Sequence, residues 1–412
     1  MNQKKAYPTN LLIRFLVFIV FSLFIWRYRI KKNLPEEVKN LKPPYLVLAN
    51  HVGFWDPFIA GHFMPHFIHF VSSDAVFRNP LLRFFLTRLG TIPKKKNMRD
   101  SQVIRDIVTV IKQGENVGIF PEAVRNWSGS TSPMDASIGK LIKMLGVPVV
   151  VPILKGMNLL NPRWSYSLRA YPMEVEYKLL FTTDQIKELS SSELFEELTK
   201  AMAHDEVDYQ LKRMQKIKSE IRAEYISHAL YLCPDCQSID SFIAKGNDFA
   251  CSNCNYAIHI DEYGFFSRKN GGKLHFSNIR DWFKWEENKL IEIVRTNYEN
   301  KSVNPVFVDK NMRIFKNDSG GKLAEIGLAD VYLYIHKILI RFHKQDSIEF
   351  NFNDLQTINP QTKERLEIYY KNDAYRIAGT KAGVSALKWE VAVNTIWKEM
   401  GLEVKTVPYI SV

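Results

Sequence analysis

The segment 50–56, Asn-His-Val-Gly-Phe-Trp-Asp, places a histidine and an aspartate close enough in sequence to act together as a base. His51 directly follows the apolar run 45–50, which predicts a buried strand, and open α/β sheets bind ligands at the carboxyl ends of their strands. If the chain turns at Gly53, the Asp56 carboxylate reaches the imidazole. A carboxylate bonded to one ring nitrogen leaves the other nitrogen able to take a proton from a hydroxyl. Alone, these residues are equally compatible with an unrelated loop histidine and with Asp56 as a helix N-cap.

A second polar segment, 120–131, follows another apolar run at 117–120 and reads Phe-Pro-Glu-Ala-Val-Arg-Asn-Trp-Ser-Gly-Ser-Thr. Arg125 offers a guanidinium that suits bidentate binding of a phosphate. Glu122 could orient that guanidinium or accept hydrogen bonds from the hydroxyls of a substrate. Alone, the two residues would be an ordinary surface ion pair. Because both polar segments follow predicted strands, we expect them at one rim of a sheet, which favours a substrate-recognition loop beside His51.

The four cysteines form two Cys-x-x-Cys pairs with 14 residues between them, namely Cys233, Cys236, Cys251 and Cys254. Four thiolates on two tight knuckles suit tetrahedral Zn²⁺, so the spacing predicts a zinc ribbon at 231–262. We expect a structural role for the metal, because so short a segment has too little apolar core to fold alone. Redox cycling by the pairs lacks the βαβ context in which it usually occurs. This cysteine usage also indicates a reducing compartment rather than a secreted disulfide scaffold.

The composition is that of an ordinary globular protein, with 412 residues, 46% hydrophobic and 24% charged. It excludes a disordered, a collagen-like and a polytopic membrane protein. The chain has 56 Lys and Arg against 44 Asp and Glu, which gives a net charge of +12. Such an excess favours an anionic partner: nucleic acid, an acidic membrane or a phosphorylated substrate.

The N-terminal segment 1–40 contains an apolar run at 11–26 that is interrupted only by Arg14 and Ser22. As a helix this run spans about 24 Å, less than the ~30 Å of a bilayer core. Basic residues flank it and no small residues mark a cleavage site. We therefore predict an uncleaved monotopic or re-entrant membrane helix, which can meet anionic headgroups. A buried core helix and a simple spanning anchor are the alternatives.

The rest of the chain divides by its hydrophobic pattern. Short apolar runs alternate with amphipathic stretches from 45 to 156, and a polar, helix-favouring region follows; this predicts a three-layer α/β domain over 41–230. Alternating strands and one C-terminal amphipathic helix predict a small, mostly-β domain of PH-like shape over 263–412.

A basic stretch without any acidic residue lies between the two polar segments and contains Arg78, Arg83, Arg88, Lys94, Lys95, Lys96 and Arg99. Several apolar side chains surround its arginines, a mixture that fits a membrane-facing helix better than a DNA groove. The stretch predicts a cationic surface for lipid headgroups or for the phosphates of coenzyme A or a carrier protein. The alternative is a solvated charged face.

Four blocks of the sequence resemble, in order, those of the PlsC-like glycerolipid acyltransferase family, the 1-acylglycerol-3-phosphate acyltransferases. They are NHVGFWD at 50–56, FRNP through LGTIP at 77–93, FPEAVR at 120–125 and VPVVVPI at 147–153. The resemblance covers roughly residues 10–180.

This resemblance implies transfer of an acyl chain from acyl-CoA or acyl-carrier protein to a lysophospholipid hydroxyl, at a membrane and with the active site facing the cytoplasm. His51 would be the general base and Asp56 its orienting partner, while Glu122 and Arg125 would bind the acceptor. Lys96 stands near the arginine that usually follows the second block, and it would be a further substrate-binding residue.

Two further departures from the family pattern concern the acceptor rather than the chemistry. Ala123 replaces the glycine of FPEGxR, which removes some backbone freedom, and Ser73 stands where the family often has a lysine. A phosphorylated lysolipid remains the expected acceptor.

The expected reaction is a single displacement in which His51 deprotonates the acceptor hydroxyl as it attacks the thioester. Backbone N–H groups near Gly53 or in the segment 120–125 are candidates to stabilise the oxyanion. Two other functions are open: a non-catalytic adaptor that uses the zinc ribbon and the β domain to bind a membrane or protein, and, resting on charge alone, nucleic-acid binding.

Overall fold

The computed structural model describes residues 5–94, 101–122, 124–317, 323–361, 365–371, 373–380 and 383–406. Among these residues the chain divides into two structural units. The first comprises the chain up to Arg163 together with Leu168–Ile217, and the second comprises Trp164–Ser167 together with the chain from Lys218 onward.

The first unit alternates strands with helices, as its hydrophobic pattern predicts. Its helices are α1 (Leu11–Tyr28), α2 (Glu36–Lys39), α3 (Asp56–His62), α4 (Pro80–Arg88), α5 (Ser101–Lys112), α6 (Ser137–Leu145), α7 (Met157–Leu160), α8 (Thr183–Glu188), α9 (Ser191–Met202) and α10 (Glu206–Arg213). Its strands are β1 (Lys31–Asn33), β2 (Leu46–Leu48), β3 (Ile68–Ser73), β4 (Ile92–Lys94), β5 (Asn116–Ile119), β6 (Val149–Lys155) and β7 (Glu174–Phe181).

These strands form one mixed seven-stranded sheet in the order β1-β7-β6-β2-β5-β3-β4. From β6 to β4 the strands run parallel, whereas β7 runs antiparallel to β6 and pairs in parallel with β1. Strands β2 and β5 are neighbours, with Leu46 opposite Val117 and Leu48 opposite Ile119. The segments that follow these two strands therefore leave the sheet at the same edge.

Successive side chains of β2 enter two different apolar cores, because side chains alternate across a strand. Val47 belongs to a core that α1 and α3 cover, and Leu46 and Leu48 belong to a core that α5, α6 and α9 cover. Helices lie on both faces of the sheet, so the predicted α/β architecture is confirmed for this part of the chain.

Helix α1 lies along the surface of the first unit and exposes most of its apolar side chains. Only Ile13 and Phe21 are buried, whereas Leu11 and Trp26 are 76% and 77% exposed. Phe21 stacks on Phe58 of α3 with ring centroids 4.6 Å apart. The alternative of a buried core helix is therefore wrong, and α1 is long and apolar enough to cross a membrane by length and composition.

The second unit begins with an antiparallel sheet that carries the cysteines, in the order β11-β10-β9-β8. Its strands are β8 (Phe242–Lys245), β9 (Asp248–Cys251), β10 (Ala257–Ile260) and β11 (Phe266–Arg268). The long helix α11 (Ile279–Glu299) follows. Glu286 of this helix is fully buried and accepts the backbone N–H groups of Tyr231 and Leu232, at 2.9 and 3.1 Å, directly before Cys233.

The C-terminal part of this unit is mostly β, as its alternating pattern predicts. It consists of β12 (Phe307–Asn317), β13 (Leu323–Leu333), β14 (Lys337–Phe342), β15 (Ile348–Asn351), β16 (Leu355–Gln361), β17 (Arg365–Tyr370), β18 (Asp373–Ala378) and α12 (Leu387–Glu399). The strands pair antiparallel in the order β15-β14-β13-β12-β18-β17-β16, so two meanders are joined through β12 and β18. Trp389 of α12 donates its indole N–H to Asp309 of β12 at 2.7 Å, which fixes the helix on the sheet.

A buried ion cluster connects the cysteine-bearing sheet to the larger one. The fully buried Lys388 of α12 binds Asp309 of β12, with Nζ and Oδ1 2.7 Å apart, and also binds Asp240, which precedes β8. Burial raises the pKa of Asp240, and the Lys388 ammonium opposes that shift. Charges buried in this way must be paired, since removing one partner of such a cluster typically costs about 3–5 kcal/mol.

These contacts place the domain boundary differently from the sequence prediction. Residues 218–230, predicted above to be part of the α/β domain, belong to the second unit, where the N–H of Ala223 donates to the carbonyl of Gly246 at 2.9 Å. The predicted ribbon 231–262 and the described residues of the predicted β domain 263–412 lie in one unit. The sequence pattern could not show this, because residues such as Asp240 and Lys388 meet only through the fold.

Candidate active site and cysteine cluster

The imidazole of His51 and the carboxylate of Asp56 are in direct contact. His51 follows β2, and its Nδ1 lies 2.8 Å from Oδ2 of Asp56 at the start of α3. The same oxygen accepts the backbone N–H groups of Val52 and Gly53, at 2.6 and 2.8 Å. Because Oδ2 is an acceptor for all three groups, Nδ1 carries the proton and Nε2 is the basic nitrogen.

Two expectations about this loop are wrong. Asp56 is not an N-cap, because α3 begins at Asp56 itself, its N-cap residue is Trp55, and the carboxylate bonds backward to the preceding loop. The N–H groups of Val52 and Gly53 are not available to an oxyanion, because both donate to Asp56. A capping interaction and this backward turn have the same sequence signature, an aspartate followed by proline.

The surroundings of His51 lower the pKa of its imidazole and keep the ring uncharged. Its ring stacks on Phe120 with centroids 4.4 Å apart, and its side chain remains 21% exposed. Burial lowers the pKa of His51, the contact with Asp56 raises it, and the nearby charges of Arg125 and Arg163 lower it further. The net pKa lies below the ordinary value for histidine, so the side chain is neutral at neutral pH and able to accept a proton.

Glu122 connects the two polar segments through the backbone. It is fully buried, its Oε1 accepts the N–H of His51 at 2.8 Å, and its Oε2 accepts the N–H of Ser132 at 2.7 Å. Burial raises the pKa of Glu122 to about 8, while these two hydrogen bonds act in the opposite direction. In the described part of the chain Glu122 forms no ion pair with Arg125, so its contacts are those of a residue that positions the loop.

Arg125 lies beside His51. The next residue, Asn126, donates its N–H to the His51 carbonyl at 3.0 Å, and the Arg125 charge is close enough to affect the imidazole. Burial lowers the pKa of Arg125, and Asp56 raises it. Within the described residues its guanidinium has no hydrogen-bonding or ion-pair partner, which leaves its donors available to an anion. Lys96 and Ala123 lie outside the described residues.

Arg163 is a second cation near the imidazole and was not identified from the sequence. It follows α7, is only 8% exposed, and donates from Nη1 to the backbone carbonyl of Arg125. Its guanidinium stacks over the Trp127 ring at 4.0 Å. No local motif marks Arg163, and only the fold brings it to the segment 120–131.

The segment 202–206 fixes the far end of the same loop. His204 and Thr131 exchange hydrogen bonds, since each backbone N–H donates to the other residue at 2.9 Å. The buried Glu206 donates its N–H to the carbonyl of Gly129 and accepts the N–H of Gly156 at 2.9 Å. Gly129 has φ of +90°, and a side chain there would collide with Glu206. These contacts hold the Arg125 loop in one conformation from both ends.

Residues 26–154, which contain this site, match a family model described as Acyltransferase. We call this matched segment the acyltransferase domain. The acyltransferase domain includes β2, β5 and all four side chains of the candidate site.

Two curated relatives are 1-acyl-sn-glycerol-3-phosphate acyltransferases. The one from Bacillus subtilis is 24% identical over 127 residues, which are 31% of this chain and 60% of that protein. The one from Borreliella burgdorferi is 22% identical over 129 residues, 31% of this chain and 50% of that protein. This chain therefore matches only about half, or slightly more, of the length of each relative.

Among solved structures, the chain is similar to the 1-acyl-sn-glycerophosphate (LPA) acyltransferase PlsC from Thermotoga maritima. The similarity covers 49% of this chain and 81% of that one, with 15% sequence identity and a TM-score of 0.41.

The four cysteines lie together outside the acyltransferase domain. Their sulfur atoms all lie within 4.8 Å of one another, with Cys233 and Cys254 3.6 Å apart and Cys236 and Cys251 3.7 Å apart. A Zn–S bond of about 2.3 Å gives sulfur separations of roughly 3.8 Å in a tetrahedron, whereas a disulfide needs about 2 Å. The thiols are unbridged, and their number and spacing fit a tetrahedral metal ion.

We expect substitution of Arg163 by glutamine to raise the pKa of His51, because it removes one of the two positive charges that oppose protonation of the imidazole. Histidine NMR titration of the full chain measures this. In Arg163→Lys, which keeps the charge, the pKa of His51 should stay closer to the wild-type value. In Arg105→Gln, an exposed change on α5, it should not change. A His51 pKa that is unchanged or lower in Arg163→Gln would contradict this electrostatic role.

Proposed function

We propose that this protein is a membrane-associated O-acyltransferase that transfers a fatty acyl chain from acyl-CoA or acyl-carrier protein to a lysophospholipid hydroxyl, with 1-acylglycerol 3-phosphate as the acceptor. The observation that carries this proposal is the hydrogen bond of 2.8 Å between His51 and Asp56, with the charge of Arg125 close enough to affect the imidazole. The family match of residues 26–154 and the names of the curated relatives support it.

In this proposal Nε2 of His51 is the general base. The lowered pKa of His51 keeps Nε2 unprotonated at neutral pH, and Asp56 stabilises the imidazolium that forms when the proton arrives. The acceptor oxygen attacks the thioester carbonyl while its proton moves to Nε2. Collapse of the tetrahedral intermediate breaks the carbon–sulfur bond, and the thiolate leaves and takes the proton from His51.

Arg125 binds the acceptor phosphate. Its guanidinium has five N–H donors in a fork that matches phosphate oxygens, and within the described residues none of them is used. Glu122 keeps this loop beside His51 through the backbone contacts described above, and Lys96 remains a further candidate contact to the acceptor.

We also propose that α1 lies in one leaflet rather than crossing the bilayer. Its first turn is tied to the first unit, since the N–H of Asn10 donates to the Arg88 carbonyl at 2.8 Å, and β1, just after its last turn, pairs with β7. Because both ends meet the same folded unit, a spanning α1 would place polar parts of that unit in hydrocarbon. This arrangement presents the apolar side of α1 to lipid and its basic flanks to the headgroups. His51 and Arg125 then lie on the cytoplasmic side.

For the second unit we propose a structural zinc ribbon and a PH-like β domain. Gln237 and Asn255, each directly after a Cys-x-x-Cys pair, have left-handed φ of 57° and 62°, and their N–H groups donate to Cys233 and Cys251 at 2.9 Å. Two equivalent knuckles of this kind support the ribbon. Two antiparallel meanders closed by α12 support the PH-like shape.

The proposed activity is tested by incubating the purified full chain with acyl-CoA and lysophosphatidic acid, and measuring released thiol and the diacyl product by mass spectrometry. We expect wild type to form product and His51→Ala to lose about 10²–10⁴-fold in turnover, the usual contribution of a positioned general base. His336→Ala, an exposed change in the second unit, is the matched control. No product with wild type would refute the proposed activity and leave the adaptor hypothesis. Full activity in His51→Ala would remove His51 as the general base.

The same assay tests the acceptor. Arg125→Gln should raise the KM for lysophosphatidic acid by about 10- to 150-fold, because hydrogen bonds to a charged group contribute about 1.5–3 kcal/mol. With a monoacylglycerol acceptor, which lacks the phosphate, the same variant should behave as wild type does. An equal loss with both acceptors would assign Arg125 to another role.

We expect one Zn²⁺ per chain, measured by atomic emission, and its loss in Cys233→Ser and Cys251→Ser. Because Lys388 connects the cysteine-bearing sheet to the larger sheet, metal removal by a chelator should also lower the urea midpoint of the second unit. Ser252→Ala, an exposed change beside Cys251, should retain the metal. A metal-free protein with unchanged stability would contradict the structural role.

A further inference from the structure

Helix α4 has no buried residue, although more than half of its side chains are apolar. Leu81 is 66% exposed and Phe84 is 43% exposed. Asn79 caps the helix, and its Oδ1 accepts the N–H groups of Leu81 and Leu82 at 3.0 and 3.1 Å. An amphipathic helix on a globular domain normally turns its apolar side inward. Leu82, Phe85 and Leu86 follow this rule and are half-buried, whereas Leu81 and Phe84 leave a second apolar side of α4 exposed.

The exposed apolar side chains alternate with unpaired positive charge. Arg83 and Arg88, together with Phe77 and Phe84, line a surface cavity of about 350 Å³. The Arg88 guanidinium stacks over the Phe84 ring at 3.7 Å. Within the described residues neither arginine has an ion-pair partner, and the sequence contains no acidic residue between Asp74 and Asp100. The surface is thus complementary to an anion next to apolar material.

The position of α4 connects this surface to α1. The backbone carbonyl of Arg88, the last residue of α4, accepts the N–H of Asn10, and α1 starts at the next residue. Leu11 and Leu12 there are 76% and 65% exposed. Two helices that each expose some of their apolar side chains therefore meet at one point of the first unit.

We propose that α4 is a second membrane contact, which selects anionic lipid. Arg83 and Arg88 bind lipid phosphates at headgroup level, and Leu81 and Phe84 enter the interface beside α1. This inference rests on the proposed membrane association, but not on acyl transfer. An anionic lipid surface fits better than the phosphates of a soluble acyl donor, because a bilayer covers the exposed apolar side chains of α1 and α4 at once and offers phosphates to both arginines.

The test is co-sedimentation of the full chain with vesicles of phosphatidylcholine alone and of phosphatidylcholine with phosphatidylglycerol, at several salt concentrations. We expect wild type to prefer the anionic vesicles. The double variant Arg83→Gln/Arg88→Gln should lose about 25-fold of that preference, roughly fivefold for each arginine, while α1 maintains binding to neutral vesicles. Leu81→Ser/Phe84→Ser should weaken binding to both vesicles, and Arg105→Gln should change neither.

Two results would overturn the proposal. One is a wild type without anionic preference, or a double arginine variant that keeps it. The other is a double arginine variant with unchanged vesicle binding and a raised KM for acyl-CoA, which would assign Arg83 and Arg88 to binding of the acyl donor. Because vesicle binding is measured without turnover, a chain that binds anionic vesicles but transfers no acyl group would refute the proposed activity and leave this inference intact.

Discussion

A single carboxylate oxygen, Oδ2 of Asp56, determines the arrangement of the candidate site. It accepts the imidazole N–H of His51 and the backbone N–H groups of Val52 and Gly53. The two backbone bonds force the loop after β2 to turn back, and that turn brings the carboxylate to the ring. The same oxygen therefore determines the loop conformation, the ring orientation and which ring nitrogen is basic.

The parallel pairing of β2 and β5 supplies the second half of the site. Both strands end at one edge of the sheet, so the loop that carries Arg125 begins beside His51. Glu122 connects the two segments through backbone N–H groups, and Glu206 and Arg163 fix the loop from further along the chain. Among the described residues Arg125 forms no ion pair with Glu122, so its positive charge remains available beside His51.

Much of this arrangement could be predicted from local patterns, because it depends on residues that are near one another in sequence. The apolar runs before His51 and Glu122 indicated buried strands, and the amphipathic pattern near the C-terminus indicated the helix α12. The alternation of strands and helices indicated the α/β class. The cysteine spacing indicated four clustered sulfur atoms.

Features that depend on long-range pairing could not be predicted. Arg163 and Glu206 carry no motif, and they reach the Arg125 loop only because the sheet folds their segments toward it. Lys388 binds Asp240 and Asp309, which lie about 150 and 80 positions before it in the sequence. The sequence pattern alone therefore predicts the ribbon and the β region as separate domains. An N-cap role for Asp56 is one alternative from the sequence. The local sequence does not show whether its carboxylate bonds to the helix that follows or to the loop that precedes it.

The most direct test of the site is the turnover of Asp56→Asn, measured with lysophosphatidic acid and acyl-CoA beside the exposed control Asp184→Asn. Asparagine is neutral, so it cannot stabilise the imidazolium that forms when Nε2 accepts the proton. The expected result is a loss of about 10²–10⁴-fold in kcat in a variant that remains folded, as checked by urea unfolding. Turnover close to that of wild type would contradict the role assigned here to the carboxylate.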